Sequence, residues 1–208
     1  LIFEKHLELR GKHATLAPSQ PHWLNYTDEQ LFQKYVSQYA QSMGTSLHEL
    51  AETLIRNNLK LKKGDKLTVL SHLLSDGIPR NVIDMDRLYS NFMNYVNDAI
   101  GFKLTPEQPL YYSPYCFGTA DAISFRNNLL RIHDYKSGTH PAKIEQLLVY
   151  AALFCLEYHV KPGEIDTELR IYQNDEILHH EPTAEEILET MDCIIRECRA
   201  LEIANEEG

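Results

Sequence analysis

At 208 residues with 43% apolar content, the chain is long enough to bury a full core as one domain, and it holds no apolar run long enough to cross a membrane. Its opening, Leu1-Ile-Phe-Glu-Lys5, lacks the sustained apolar stretch and small-residue cleavage site of a secretory leader, so a cytoplasmic location is expected, in the cytoplasm of a host if the gene is a phage's. The formal net charge of −10 argues against a nucleic-acid partner only until its distribution is read: residues 164–208 hold fourteen acids against three bases (−11), and residues 1–163 hold sixteen against seventeen (+1).

In chain order, residues 1–26 read as irregular, with Pro18-Ser-Gln-Pro-His-Trp23 marking a turn, and a helix is expected from about Asp28 to Met43. Ser46 and Glu49 form a capping-box pattern, which starts the next helix at Leu47 and puts His48 in its first turn. There the positive end of the helix dipole disfavours imidazolium and keeps the ring neutral, as a metal ligand must be. Glu52 shares the His48 face. The helix runs to about Asn58 and is followed by a basic run, Arg56, Lys60, Lys62, Lys63 and Lys66, which reads either as a phosphate track or as a solvated loop. Residues 64–79 read as a loop-rich connector containing an apolar piece from Leu67 to Leu74, and Ile83 to Ile100 as an amphipathic helix. Strands are expected at about 108–113, 117–125 and 129–136, then a helix at 142–158, a strand at 166–173 and a last helix from Ala184 to about Ala204. The scattered Cys116, Cys155, Cys193 and Cys198 read as reduced thiols.

The pair Asn127-Asn128 tolerates the positive φ of a tight hairpin turn between two alternating runs. With those residues as the loop, Phe125 opposes Leu130, Ile123 opposes Ile132 and Asp121 opposes Asp134, and Lys136 points to the same side. An apolar face then ends in two acids and a lysine. Two carboxylates about 5 Å apart would repel by roughly 3 kcal/mol at an effective dielectric constant of about 20. Partial burial adds a desolvation cost, so something cationic belongs between them. Lys136 supplies one charge, and Mg²⁺ or Mn²⁺ on hard oxygen ligands would supply the rest. A salt-bridged strand end is the alternative, and a β-bulge would shift the facing pair.

Three motifs follow in order: Gly118-Thr-Ala-Asp121, then Asp134-Tyr-Lys136-Ser-Gly138, then Gln146-Leu-Leu-Val-Tyr150, the last with its two polar residues on one helical face. Together they resemble the PD-(D/E)XK nuclease superfamily in its RecB-like and phage exonuclease branch, over roughly residues 44–173. The resemblance implies an α/β fold, a single-domain restriction-endonuclease-like core of order αβββαβ with a mixed central sheet flanked by helices. It implies His48, Asp121, Asp134 and the Tyr135 backbone carbonyl as ligands of Mg²⁺ or Mn²⁺, as one ion or a pair. Glu107, just ahead of the first strand, or Glu52 is a further candidate ligand. Lys136 would orient the attacking water, and Gln146 and Tyr150 would brace Lys136 or touch DNA. Some relatives carry an iron–sulfur cluster through a cysteine ahead of the histidine motif; this sequence has none before Cys116, so no cluster is expected.

The reading is therefore a metal-dependent DNA exonuclease of recombination, repair or phage DNA metabolism, with DNA as partner, no membrane, and either a homo-oligomer or a recombination protein compatible with it. Lys60, Lys62 and Lys63 are the candidate nucleic-acid contacts. The alternative from another class is a non-catalytic descendant that binds DNA or a partner; paired acids beside a lysine argue against it, since binding alone needs none.

Overall fold

The computed structural model describes residues 4–9, 11–12 and 14–206. Leu1 to Phe3 of the opening segment lie outside the described residues. Short 3-10 turns at Leu7–Leu9 and Pro21–Asn25 precede α1 (Asp28–Ser37), which a reciprocal capping box between Thr27 and Gln30 begins. Then come α2 (Ala40–Arg56), α3 (Lys66–Ser75), α4 (Met85–Gly101), β1 (Thr105–Ser113), β2 (Cys116–Arg126), β3 (Leu129–Tyr135), α5 (Glu145–Tyr158), β4 (Asp166–Gln173), β5 (Glu176–His180) and α6 (Ala184–Glu206).

The strands form one five-stranded sheet in the order β1-β2-β3-β4-β5. All neighbours are antiparallel except β3 and β4, which are parallel and joined through α5. This is an α/β fold with a mixed sheet flanked by helices, and the expected order α, β, β, β, α, β is present. One face of the sheet is covered by α2, α3 and α4, whose buried residues Leu47, Leu73, Phe92 and Tyr95 cluster with Ala122, Tyr135 and Tyr172. The other face is covered by α5 and α6, where Leu147, Ala151 and Ile194 cluster with Ile123, Leu130, Ile132 and Leu169. Among the described residues no helix is long and apolar enough to cross a membrane.

Three local expectations are corrected. The capping box at Ser46 and Glu49 does not start a helix: α2 runs unbroken through Gly44-Thr45, and Ser46 Oγ instead donates to Asp76 Oδ2 at 2.5 Å. The reason is the buried row Met43, Leu47, Ala51 and Ile55, which spans the supposed break. Burying one Met or Leu side chain contributes about 1.5–3 kcal/mol, more than the ~1 kcal/mol that an internal glycine costs. The connector at 64–79 contains α3, whose helix is decided by only two buried residues, Val69 and Leu73, one turn apart. β5 was not expected. Its signal was the turn Asn174-Asp175, with φ of 52° and 60°, the same left-handed pair that Asn127-Asn128 adopts at 51° and 60°.

Beyond the acid-bearing strand ends, Glu168 of β4 ties the sheet together. Its carboxylate receives Arg131 at 3.2 Å, Arg170 at 3.2 Å and the buried His133 at 3.4 Å. The His133 hydrogen bond, with the two guanidinium charges and against the opposing effect of burial, holds its carboxyl down at about 2. A depressed acid contributes stability that is full above its unfolded value near 4.5 and is lost as pH falls toward about 2. Glu168→Gln should therefore lower stability at neutral pH by on the order of 2 kcal/mol, after allowance for solvent screening, and flatten the acid limb of the stability curve. Urea unfolding at pH 7 and pH 3 measures both; equal losses at the two pH values would contradict it.

Candidate metal centre

The β2–β3 hairpin has the register expected from its asparagine turn, with Phe125 opposite Leu130 and Ile123 opposite Ile132. Pairing runs up to Ala122 opposite His133, and there the alternation of β2 changes. Ala120 and Ile123 both pack toward α5, whereas Ala122 joins the cluster under α2 and α4, so a break falls at Asp121-Ala122. Asp121 and Asp134 thus lie just past the last regular pair rather than squarely opposed. They are linked through the backbone: Tyr135 N–H donates to Asp121 Oδ2 at 3.1 Å. Lys136 Nζ donates to Asp134 Oδ1 at 3.0 Å, on the side the hairpin reading gave it.

β1 brings the third acid. Pro106 lies opposite Ala122 and Gln108 opposite Ala120, which places Glu107 beside Asp121. Glu107 is inside the strand, not ahead of it as expected. Its backbone is left-handed, φ 50°, a conformation that costs a glutamate on the order of 1–3 kcal/mol and is found where the surroundings impose it. α2 brings the imidazole. His48 Nδ1 lies 3.5 Å from Asp121 Oδ2 and 3.7 Å from Glu107 Oε1, and ligand atoms of all three residues fall within 4.8 Å of one another.

His48 sits in the middle of α2, so the helix dipole does not set its charge, contrary to the expectation. Burial pulls its pKa down, but the Glu107 hydrogen bond and the charges of Asp121, Glu107 and Asp134 outweigh burial and leave it raised. The surrounding acids thus favour the imidazolium form more than water does, and a metal binding there competes with that proton. The acids are strained in the opposite sense. Burial, then the charge of Asp134, pushes Asp121 up to about 7, against the relief given by His48, the Tyr135 N–H and Lys136. Burial likewise raises Asp134. Lys136 would be lowered by burial, but the Asp134 carboxylate outweighs that and raises it.

Asp134 is 1% exposed, and its Oδ2 is buried with no hydrogen-bond partner among the described residues. A buried acceptor left in this way costs about 1–3 kcal/mol or more when charged. His48, Glu107 and Asp121 form the mutual group of ligand atoms, and Asp134 lies outside it but acts on Asp121 and His48 through its charge. Oxygen donors, one nitrogen and excess negative charge are the set that a hard divalent cation takes.

The remaining expected residues divide. Tyr150 of α5 lies over Gly118: a Cβ there would come within 3.1 Å of Tyr150 Cε1 and 3.2 Å of its hydroxyl, so a side chain at position 118 would push the ring away. Burial raises the Tyr150 hydroxyl, against the hydrogen bond of Gln146, and the charges of Asp121, Asp134 and Lys136 also act on it. Tyr135 is buried, its ring stacked on Tyr95 at 5.9 Å and 6.1 Å from the His48 ring. Glu52 does not join the cluster. It pairs with Arg56 at 2.8 Å, and Arg56 in turn donates to the Pro106 carbonyl at 3.3 Å, because a neighbouring guanidinium one turn on captures the carboxylate first. Of the basic run, Lys66 is paired with Asp86, whereas Lys60, Lys62 and Lys63 are exposed, with no ion pair among the described residues.

Sequence reasoning missed the support from α4. Arg87 donates to the Ser137 carbonyl at 2.9 Å, fixing the chain just after Lys136, and Phe92 and Tyr95 pack beneath Tyr135. The amphipathic period of residues 85–101 carried that signal, since Leu88, Phe92, Tyr95 and Ala99 form one buried face.

A family model described as "Protein of unknown function (DUF2800)" matches residues 13–173. The chain belongs to that family. No curated protein and no solved structure matches it. In this DUF2800 chain the matched span covers α1 through β4, so His48, Glu107, Asp121, Asp134, Lys136, Gln146 and Tyr150 all lie within it, while β5 and α6 lie outside.

Proposed function

We propose that this protein is a metal-dependent deoxyribonuclease of the PD-(D/E)XK type that hydrolyses DNA phosphodiester bonds, as an exonuclease, in recombination, repair or phage DNA metabolism. The observation that carries the reading is the grouping of His48, Glu107 and Asp121, with ligand atoms within 4.8 Å of one another, together with the buried Asp134, whose charge acts on Asp121, whose Oδ2 has no hydrogen-bond partner among the described residues, and whose Oδ1 lies 3.0 Å from Lys136 Nζ.

His48, Glu107, Asp121, Asp134 and the Tyr135 carbonyl would hold Mg²⁺ or Mn²⁺. When bound, the ion supplies Lewis-acid stabilisation of charge on the scissile phosphate. Lys136, anchored on Asp134 and kept protonated by it, holds the attacking water by hydrogen bonding and favours negative charge on that oxygen. Tyr150, seated over Gly118 and hydrogen-bonded with Gln146, would brace Lys136 or touch the DNA backbone. End-labelled linear single- and double-stranded DNA and a closed circle, each with Mg²⁺, Mn²⁺ or Ca²⁺, test the reading on one gel. Cleavage of the linear forms with Mg²⁺ or Mn²⁺, and little with Ca²⁺, is expected; no metal-dependent cleavage of any substrate would end it.

DNA is expected to approach over the exposed lysines that follow α2. Replacing Lys60, Lys62 and Lys63 with alanine should flatten the log–log salt dependence of binding by ~0.9 per lost phosphate contact on duplex, or ~0.7 on a single strand. An unchanged slope would make that run a solvated loop.

A further inference from the structure

Tyr111 of β1 and Phe117 of β2 lie opposite one another, 50% and 67% exposed, with ring centroids 6.3 Å apart and planes 28° from parallel. Their strand neighbours Leu110 and Gly118 point the other way, into the α5 layer, where Leu110 is buried and Gly118 meets Tyr150. The rings therefore stand on the face that also carries Glu107 and Asp121. Along that face Glu107 lies beside Asp121, between the paired neighbours on each strand, and is followed by the pairs Pro109 with Thr119 and Tyr111 with Phe117, whose four residues are all exposed. An uncovered strip thus leads from the acid cluster to the aromatic pair, over about 13 Å at a strand rise of ~3.3 Å per residue.

We propose that the Tyr111–Phe117 pair is a stacking platform for an unpaired base of the substrate strand, a few nucleotides from the phosphate held at the acid cluster. The proposal rests on the deoxyribonuclease reading and adds to it a preference for single-stranded or frayed DNA ends. A base suits the pair because a stacked, flat aromatic surface serves any nucleobase π-face. Strand addition by a protein partner or a second copy suits it poorly. On edge strand β1, Pro106 and Pro109 offer no N–H, and the Tyr111 N–H is already taken by Glu157 at 2.8 Å. The strip between the acids and the rings carries no lysine or arginine, so its contribution is stacking rather than phosphate pairing.

The test uses a single-stranded oligonucleotide containing 2-aminopurine, and a blunt duplex of the same sequence, with Ca²⁺ present. Wild type should quench 2-aminopurine in the single strand on binding. Tyr111→Ala and Phe117→Ala should each weaken single-strand binding by on the order of tenfold and reduce the quenching, with the blunt duplex affected less. The salt slope and calorimetric divalent-ion binding should stay as in wild type, and Phe117→Trp should retain both affinity and quenching. Both rings are exposed, so thermal melts of the variants should match wild type. Unchanged single-strand affinity in the double alanine variant, or equal losses on single strand and duplex, overturns the platform. Wild type that binds and quenches but never cleaves removes the nuclease reading and leaves the platform. Wild type that cleaves, with variants indistinguishable from it, does the reverse.

Discussion

Asp134→Asn should weaken Mg²⁺ or Mn²⁺ binding by on the order of 10²-fold or more, and at the same time make the metal-free protein more stable. The two effects share one cause. Asp134 is buried, one of its oxygens has no partner among the described residues, and its charge is, after burial, what pushes Asp121 up to about 7. Asparagine keeps the oxygen that receives Lys136 and removes the charge, which relieves both the desolvation of that group and the repulsion of Asp121. A gain of about 1–3 kcal/mol is expected for the chelated protein at neutral pH. Calorimetry with each ion, and urea unfolding in excess chelator, give the two numbers. Tight binding retained in the variant would remove Asp134 from the ligand set; a large loss of metal-free stability would show that its role is structural.

Lys136→Ala separates chemistry from binding. Among the described residues the ammonium forms its one ion pair with Asp134, so its loss leaves every proposed ligand in place and should leave divalent-ion and DNA affinity nearly intact. The cleavage rate should fall by on the order of 10² or more, the size of a lost positioned donor next to developing charge. Single-turnover cleavage of end-labelled DNA at saturating Mg²⁺ measures it. Wild-type turnover in this variant would reduce Lys136 to a salt-bridge partner, and equal losses in binding and rate would make it a DNA contact.

Much of the sheet was legible because its signals are local. Asn127-Asn128 fixes a two-residue turn, and a tight turn fixes the register of everything near it, which is why Ile123 meets Ile132 as expected. The same local rule ran out two positions on, at Asp121, where the pairing with β1 and the contact with His48 of α2 lie beyond the reach of the turn. The start of α2 was misread for the opposite reason: Ser46 and Glu49 offer a local cap, but the burial of Met43 and Leu47 against distant residues outweighs it. The choice between Glu52 and Glu107 was likewise invisible in one dimension. Glu52 has the better spacing from His48, yet it is spent on Arg56, and Glu107 arrives through the pairing of β1 with β2.

The proposed ligand set joins two layers of the fold. Asp121 and Asp134 sit on one hairpin closed by a two-residue turn, a structure of the kind that forms in microseconds. His48 comes from α2, in the helical layer that packs on the sheet through β1. An ion shared by both would therefore act as a rivet between the layers, stabilising the docked state by about 2.7 kcal/mol when its free concentration is a hundredfold above its dissociation constant. Divalent cations should then slow hydrogen exchange in the middle of α2 more than in the β2–β3 hairpin, since it is the helix whose departure the ion opposes.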